Sequence, residues 1–108
     1  MGITQSDIDF ATELFLGVPN LKTRKMMGGL SLYSGNQIFS IVDSDGQIFL
    51  KAAGQIAKLL ESEGAQIFAF TKKDGSTGSM GYWSLPEPAL DDPEQACDWA
   101  QKALDALT

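Results

Sequence analysis

The chain has 108 residues, 44% of them hydrophobic and 20% charged, with a formal net charge of −6. That length suits one hydrophobic core, and the balance of apolar and charged residues excludes a disordered chain. No apolar run approaches the roughly 20 residues that span a bilayer, and an acidic chain disfavours strong direct DNA binding, which needs concentrated Lys and Arg.

The charge is unevenly placed. Residues 85–108 hold six acids (Glu87, Asp91, Asp92, Glu94, Asp98, Asp105) and one base, Lys102. The only basic clusters are Lys22, Arg24 and Lys25, and the pair Lys72-Lys73. The N-terminus has neither a basic n-region nor an apolar h-region, so the expected compartment is the cytoplasm. Met1-Gly2 with Ser6 fits the loose myristoylation pattern, but Ser6 reads better as a helix cap. Cys97 is the single cysteine, which excludes an internal disulfide and fits a reducing compartment.

Ser6 precedes an apolar-periodic segment, with Asp9 three residues on, so a first helix is expected over residues 7–16. Ile8, Ala11 and Phe15 make its stripe, widened by Phe10, Leu14 and Leu16, and Gly17 is positioned as a left-handed C′ residue. A strand is expected over residues 25–33, with Leu30 and Leu32 on one face and Ser31 and Tyr33 on the other. Ser34-Gly35-Asn36 reverses the chain into a second strand, residues 37–42, with Phe39 and Ile41 on one face and Ile38 and Val42 on the other. Apolar residues on both faces place that strand centrally. Asp45-Gly46 leads to a third strand, residues 48–51.

A short helix follows over residues 54–63, with Ile56, Leu59 and Leu60 inward and Gly64 ending it. Residues 67–70 and 80–85 read as fourth and fifth strands around a polar, Gly-rich loop, residues 72–79. The last helix opens with Asp92 as N-cap, Pro93 at N1 and Gln95 at N3. Ala96, Cys97, Ala100, Ala103, Leu104 and Leu107 form its apolar stripe, opposite Glu94, Asp98, Gln101 and Asp105. The expected fold class is α+β: a five-stranded, mainly antiparallel sheet with three helices in the order α-β-β-β-α-β-β-α, in one domain over residues 1–108.

Most constellations that carry chemistry are missing. Without histidine there is no imidazole to activate a Ser or Cys nucleophile. Cys97 reads as a buried structural thiol on the helical stripe. Asp43-Ser44-Asp45-Gly46 resembles the start of a calcium loop, yet the sixth position is Ile48 rather than Gly and the twelfth is Gly54 rather than Glu. The glycines at 75, 78 and 81 run into a strand instead of opening a helix, which argues against a phosphate cradle. Asp91-Asp92, at a helix start, complements the macrodipole rather than serving acid–base work. No catalytic residue, metal site or cofactor is expected.

Gly28-Gly29 within a strand marks a bulge or the close approach of another backbone. It also suggests a partner or ligand surface made of Arg24, Lys25, Met26, Met27, Gly28 and Gly29, because flexible Met side chains suit adaptable contacts. Tyr82 and Trp83 alternate faces, so at most one belongs wholly to the core, and the other joins the same candidate surface.

The run Arg24-Lys-Met-Met-Gly-Gly-Leu-Ser-Leu-Tyr-Ser-Gly resembles the opening of the TfoX/Sxy N-terminal domain family, Arg-x-Met-Phe-Gly-Gly-x-Gly-Ile-Tyr-x-Gly. Further matches follow in order: Gln37-Ile-Phe-Ser-Ile-Val, Gln47-Ile-Phe-Leu-Lys-Ala, Met80-Gly-Tyr-Trp-Ser-Leu-Pro, then Leu90-Asp-Asp-Pro with Trp99-Ala. Met27 stands where the family usually has Phe, and Ser31 where Gly is common. The resemblance implies an α+β domain in a cytoplasmic bacterial protein, without established catalytic residues. It also implies regulation, since full-length relatives, which carry a second, helical domain, promote DNA-uptake competence as transcriptional co-regulators acting with the cyclic-AMP receptor protein.

The expected function is therefore a small regulatory protein working by protein–protein contact, with a transcription regulator or polymerase subunit as partner. A homodimer is compatible with this, and a membrane role is not expected. The alternatives are a small-ligand module in a sheet–helix cleft lined by Met26 or Met27 and Trp83, and direct DNA binding through Lys22, Arg24 and Lys25 on one face.

Overall fold

A computed structural model describes residues 3–26, 28–52, 54–71 and 77–107. Four helices and six strands occur among them: α1 (Gln5–Leu14), β1 (Leu21–Met26), β2 (Gly29–Ser34), β3 (Gln37–Val42), β4 (Ile48–Lys51), α2 (Gly54–Ser62), β5 (Ile67–Thr71), β6 (Thr77–Ser84), α3 (Glu87–Leu90) and α4 (Pro93–Leu107). The strands form one antiparallel sheet in the order β1-β2-β3-β4-β6-β5. The class is α+β, as expected. The extra strand and extra helix correct the expectation of five and three.

The additional strand arises at Gly28. Residues 25–33 are not one strand but parts of a hairpin, with Met26 paired to Gly29. Gly28 has φ +84°, a left-handed conformation that a residue with a Cβ adopts only with strain. Gly29 has a different reason to lack a side chain: a Cβ there would collide with the carbonyl oxygen of Val42. The pair thus makes a turn and a close backbone approach, not a bulge.

The bulge lies in β3 instead. Leu32 pairs with Ser40, but the next β2 residue, Tyr33, pairs with Ile38, so Phe39 is an extra residue. Regular alternation would have put Phe39 with Ile41 and Ile38 with Val42. The inserted residue breaks that pattern. Phe39 and Val42 join the core under the helices, while Ile38 and Ile41 pack on the opposite face.

The main core lies between the sheet and all four helices. Leu30, Leu32, Phe39, Val42, Ile48 and Leu50 meet Ala11, Leu14 and Phe15 of the α1 region, Leu60 of α2, Ala89 of α3 and Ala96, Ala100 and Leu104 of α4. Phe15 and Phe39 meet edge to face, with ring centroids 5.3 Å apart. A smaller cluster of Ile41, Phe49 and Tyr82, joined by Ile38 and Phe68, occupies the other face. There Phe49 and Phe68 also stack edge to face, at 4.9 Å. Each such pair adds about 1 kcal/mol beyond area burial.

Helix ends follow local chemistry. Asp92 caps α4: one carboxylate oxygen accepts from the N–H of Glu94 at 3.0 Å, and the other accepts from the Gln95 side chain at 3.0 Å. Thr4, not Ser6, caps α1, in a capping box with Asp7. Gly17 does not adopt a positive φ; after the C-cap at Phe15 the left-handed residue is Asn20, φ +53°. In α2, Leu60 is buried but Leu59 is 47% exposed, so Leu59 does not face inward. Residues 72–76 of the expected loop lie outside the described residues, and Thr77–Ser79 already belong to β6.

Two substitutions check this account. Gly29→Ala forces a methyl group against the Val42 carbonyl and should cost about 2–3 kcal/mol in urea unfolding. Asp92→Ala, which removes only a cap, should cost about 1 kcal/mol.

Candidate functional site

The sheet order divides the residues expected to form one surface. Arg24 and Lys25 are exposed on β1, at one edge of the sheet, and Gly28 and Gly29 lie at the adjoining turn. Tyr82 and Trp83 lie on β6, with β2, β3 and β4 between them and β1. Met27 lies outside the described residues; Met26 is described by its backbone, as the last residue of β1. Lys22 and Arg24 share a face, opposite Tyr33 and Ser31 in register, whereas Lys25 pairs with Leu30 and falls on the other.

Tyr82 and Trp83 do alternate. Tyr82 is 3% exposed in the smaller cluster, and Trp83 is half-buried against the main core. Burial pushes the Tyr82 phenol above its ordinary pKa, and the Tyr33 phenol reinforces the shift. Cys97 is half-buried between α4 and the end of α1, with its thiol donating to the Leu14 carbonyl at 3.5 Å. Among the described residues no group of His, Cys, Asp and Glu is placed to hold a metal ion.

A concave surface that the sequence did not single out lies at the flank of α1. A hollow of about 450 Å³ is walled by Phe10, the β3–β4 turn at Gly46 and Gln47, the α2–β5 connection at Gly64–Gln66, and Leu85, Glu87 and Leu90. A second hollow of about 220 Å³ is lined by Phe10, Glu13, Leu14, Leu90, Asp91 and Pro93. Phe10 and Leu90 line both. Phe10 keeps 47% of its surface exposed although it is a large apolar residue. The result is an apolar cleft with carboxylates from Glu13, Glu87 and Asp91 among its lining residues.

Local sequence explains why Phe10 stands there. Ala11, Leu14 and Phe15 point into the core, and Phe10 lies at the border of that stripe, one turn before Leu14. Its position in the stripe made it look like core. Its exposure depends on α3, a four-residue helix that local periodicity does not signal.

The fold is thus an α+β domain with one antiparallel sheet, and its Phe10 hollows bring apolar side chains and carboxylates together. The chain matches the TfoX N-terminal domain over residues 13–107 and belongs to that family. The family's domain is found in competence-regulatory proteins, which fits a regulatory role. No curated protein matches the chain. Among the described residues no helix is long and apolar enough to cross a membrane.

The Tyr82 shift has a pH signature. A phenol whose folded pKa lies above its unfolded value contributes stability present below about pH 10 and lost as pH rises through the folded value. The stability difference between the native protein and Tyr82→Phe, followed by urea unfolding, should be flat from pH 7 to about pH 9 and should move in favour of Tyr82→Phe above about pH 10.

Proposed function

We propose that the protein is a small regulator that acts by protein–protein contact, as a transcriptional co-regulator of the kind found among competence regulators. Family membership over residues 13–107 supports the regulatory part. The observation that carries the contact part is the half-exposed Phe10, shared with Leu90 between two adjoining hollows. A large apolar side chain held half in water by a rigid helix resembles the aromatic anchors on which interfaces depend. Glu13, Glu87 and Asp91 beside it favour a partner that presents basic residues around an apolar one.

Phe10→Asp tests the cleft without emptying the core, because half of the side chain is already solvated. In affinity capture from nuclease-treated lysate at low and moderate salt, the native protein should recover a transcription regulator or polymerase subunit near stoichiometry. Phe10→Asp should reduce that recovery about 30-fold, as loss of roughly 2 kcal/mol implies, with little change in melting temperature. Undiminished recovery by Phe10→Asp would move the interface elsewhere. Empty capture by the native protein at low salt would sink the stable-partner reading.

A further inference from the structure

Strand β1 ends the sheet, and among the described residues no other strand pairs with its outer backbone edge. Such edges are templates for another strand, so proteins usually blunt them with proline, bulges, covering segments or charge. Here the edge holds no proline, and six consecutive residue pairs join it to β2 without a register shift. The opposite edge, β5, does carry a register irregularity, between Ile67 and Ala69. Among the described residues, charge is the protection that β1 shows. Lys22, Arg24 and Lys25 are all exposed on it, and no carboxylate of the described residues forms an ion pair with them.

Positive charge on an open edge is selective, not merely protective. Antiparallel pairing with a second copy of β1 would set bases opposite bases, which destabilises a ladder, whereas an acidic strand would gain at each of those positions. Lys22 and Arg24 also line a groove of about 290 Å³ with Thr23, Tyr33, Gly35 and Asn36, which gives side chains of an added strand a place to lie. We infer that β1 is a docking edge for an extended, acidic segment of a partner protein, which joins the sheet as a seventh strand. This surface is independent of the Phe10 cleft. A nucleic acid fits it less well: a phosphate chain would use three cations but leave the strand's outward N–H and C=O groups unpaired.

The test uses the full chain, isotope-labelled for NMR, with a ten-residue peptide alternating Glu with Val or Thr. Three controls are a Lys-for-Glu peptide, the Glu peptide N-methylated at alternate backbone nitrogens, and a thymidine decanucleotide. The Glu peptide should shift the amides of Leu21–Met26 and slow their hydrogen exchange, with salt-sensitive affinity. The Lys peptide should not bind. N-methylation, by removing about two hydrogen bonds, should weaken binding about tenfold or more. Lys22→Glu combined with Arg24→Glu alters exposed side chains only and should reverse the peptide preference. Equal binding of the N-methylated peptide would reduce the effect to charge alone and overturn strand addition. Tighter binding of the oligonucleotide at β1, or no binding of the Glu peptide, would overturn the proposal as well.

Discussion

The extra residue at Phe39 is the constraint on which the rest of the structure depends. A strand that alternates strictly offers each face every second side chain, and β3 must serve two apolar clusters at once. By opposing Phe39 and Ser40 to the single Leu32 position, the bulge gives the helix-covered face an aromatic ring that meets Phe15 edge-on. It then returns Ile41 to the far face, beside Phe49 and Tyr82. The arrangement leaves Ser40 fully buried, and an unbonded hydroxyl there would be costly. Its Oγ donates to the Phe49 carbonyl at 2.6 Å, so the bulge and the β3–β4 pairing support each other.

Helix α4 depends on that same surface. Its buried positions are Ala96, Ala100, Ala103 and Leu104, and three of these four carry only a methyl group. Small side chains let a helix lie close to a sheet, and the large groups that fill the space come from the sheet and from α1. Asp92 then determines where α4 can begin, which leaves only α3 to carry the chain across from β6. A four-residue helix covers little. The flank of α1 therefore remains open at Phe10, and the cleft is a consequence of how the helix layer is divided rather than of any motif.

This history explains what the sequence could reveal. Signals confined to a few residues were legible: Asp92-Pro93 with Gln95 at the start of α4, Gly46 in the β3–β4 turn at φ +84°, and Gly64 after α2 at φ +90°. Most of strand β1 was invisible because an exposed edge strand has no apolar alternation; among its described side chains, Leu21 packs against the main core. The cap of α1 was ambiguous because Thr4-x-x-Asp7 and Ser6-x-x-Asp9 obey the same spacing. A long-range bond, Ile3 N–H to the Gly28 carbonyl at 2.8 Å, ties down the residue just before Thr4, and no local pattern encodes it. The bulge and the exposure of Phe10 are likewise set by partners distant in sequence. That Arg24–Gly29 and Tyr82–Trp83 lie apart was not legible, because the strand order that separates them is set by long-range pairing.

Charge follows the same division. The segment from Leu85 onward holds six acids and one base, and it supplies α3 and α4 on the helix layer. Three bases lie close together on β1, at the end of the sheet. Among the described residues the ion pair formed in the helix layer is local, Asp98 to Lys102 at 3.2 Å, both on the surface of α4. Such a pair contributes little to stability, and Lys102 also lies 5.0 Å from the centre of the Trp99 ring. Exposed charges steer encounters, and steering acts on association rates and on the choice of partner more than on folding. The exposed bases of β1 and the exposed acids of α4 lie outside both apolar cores, so the charge of the protein is carried without enlarging them.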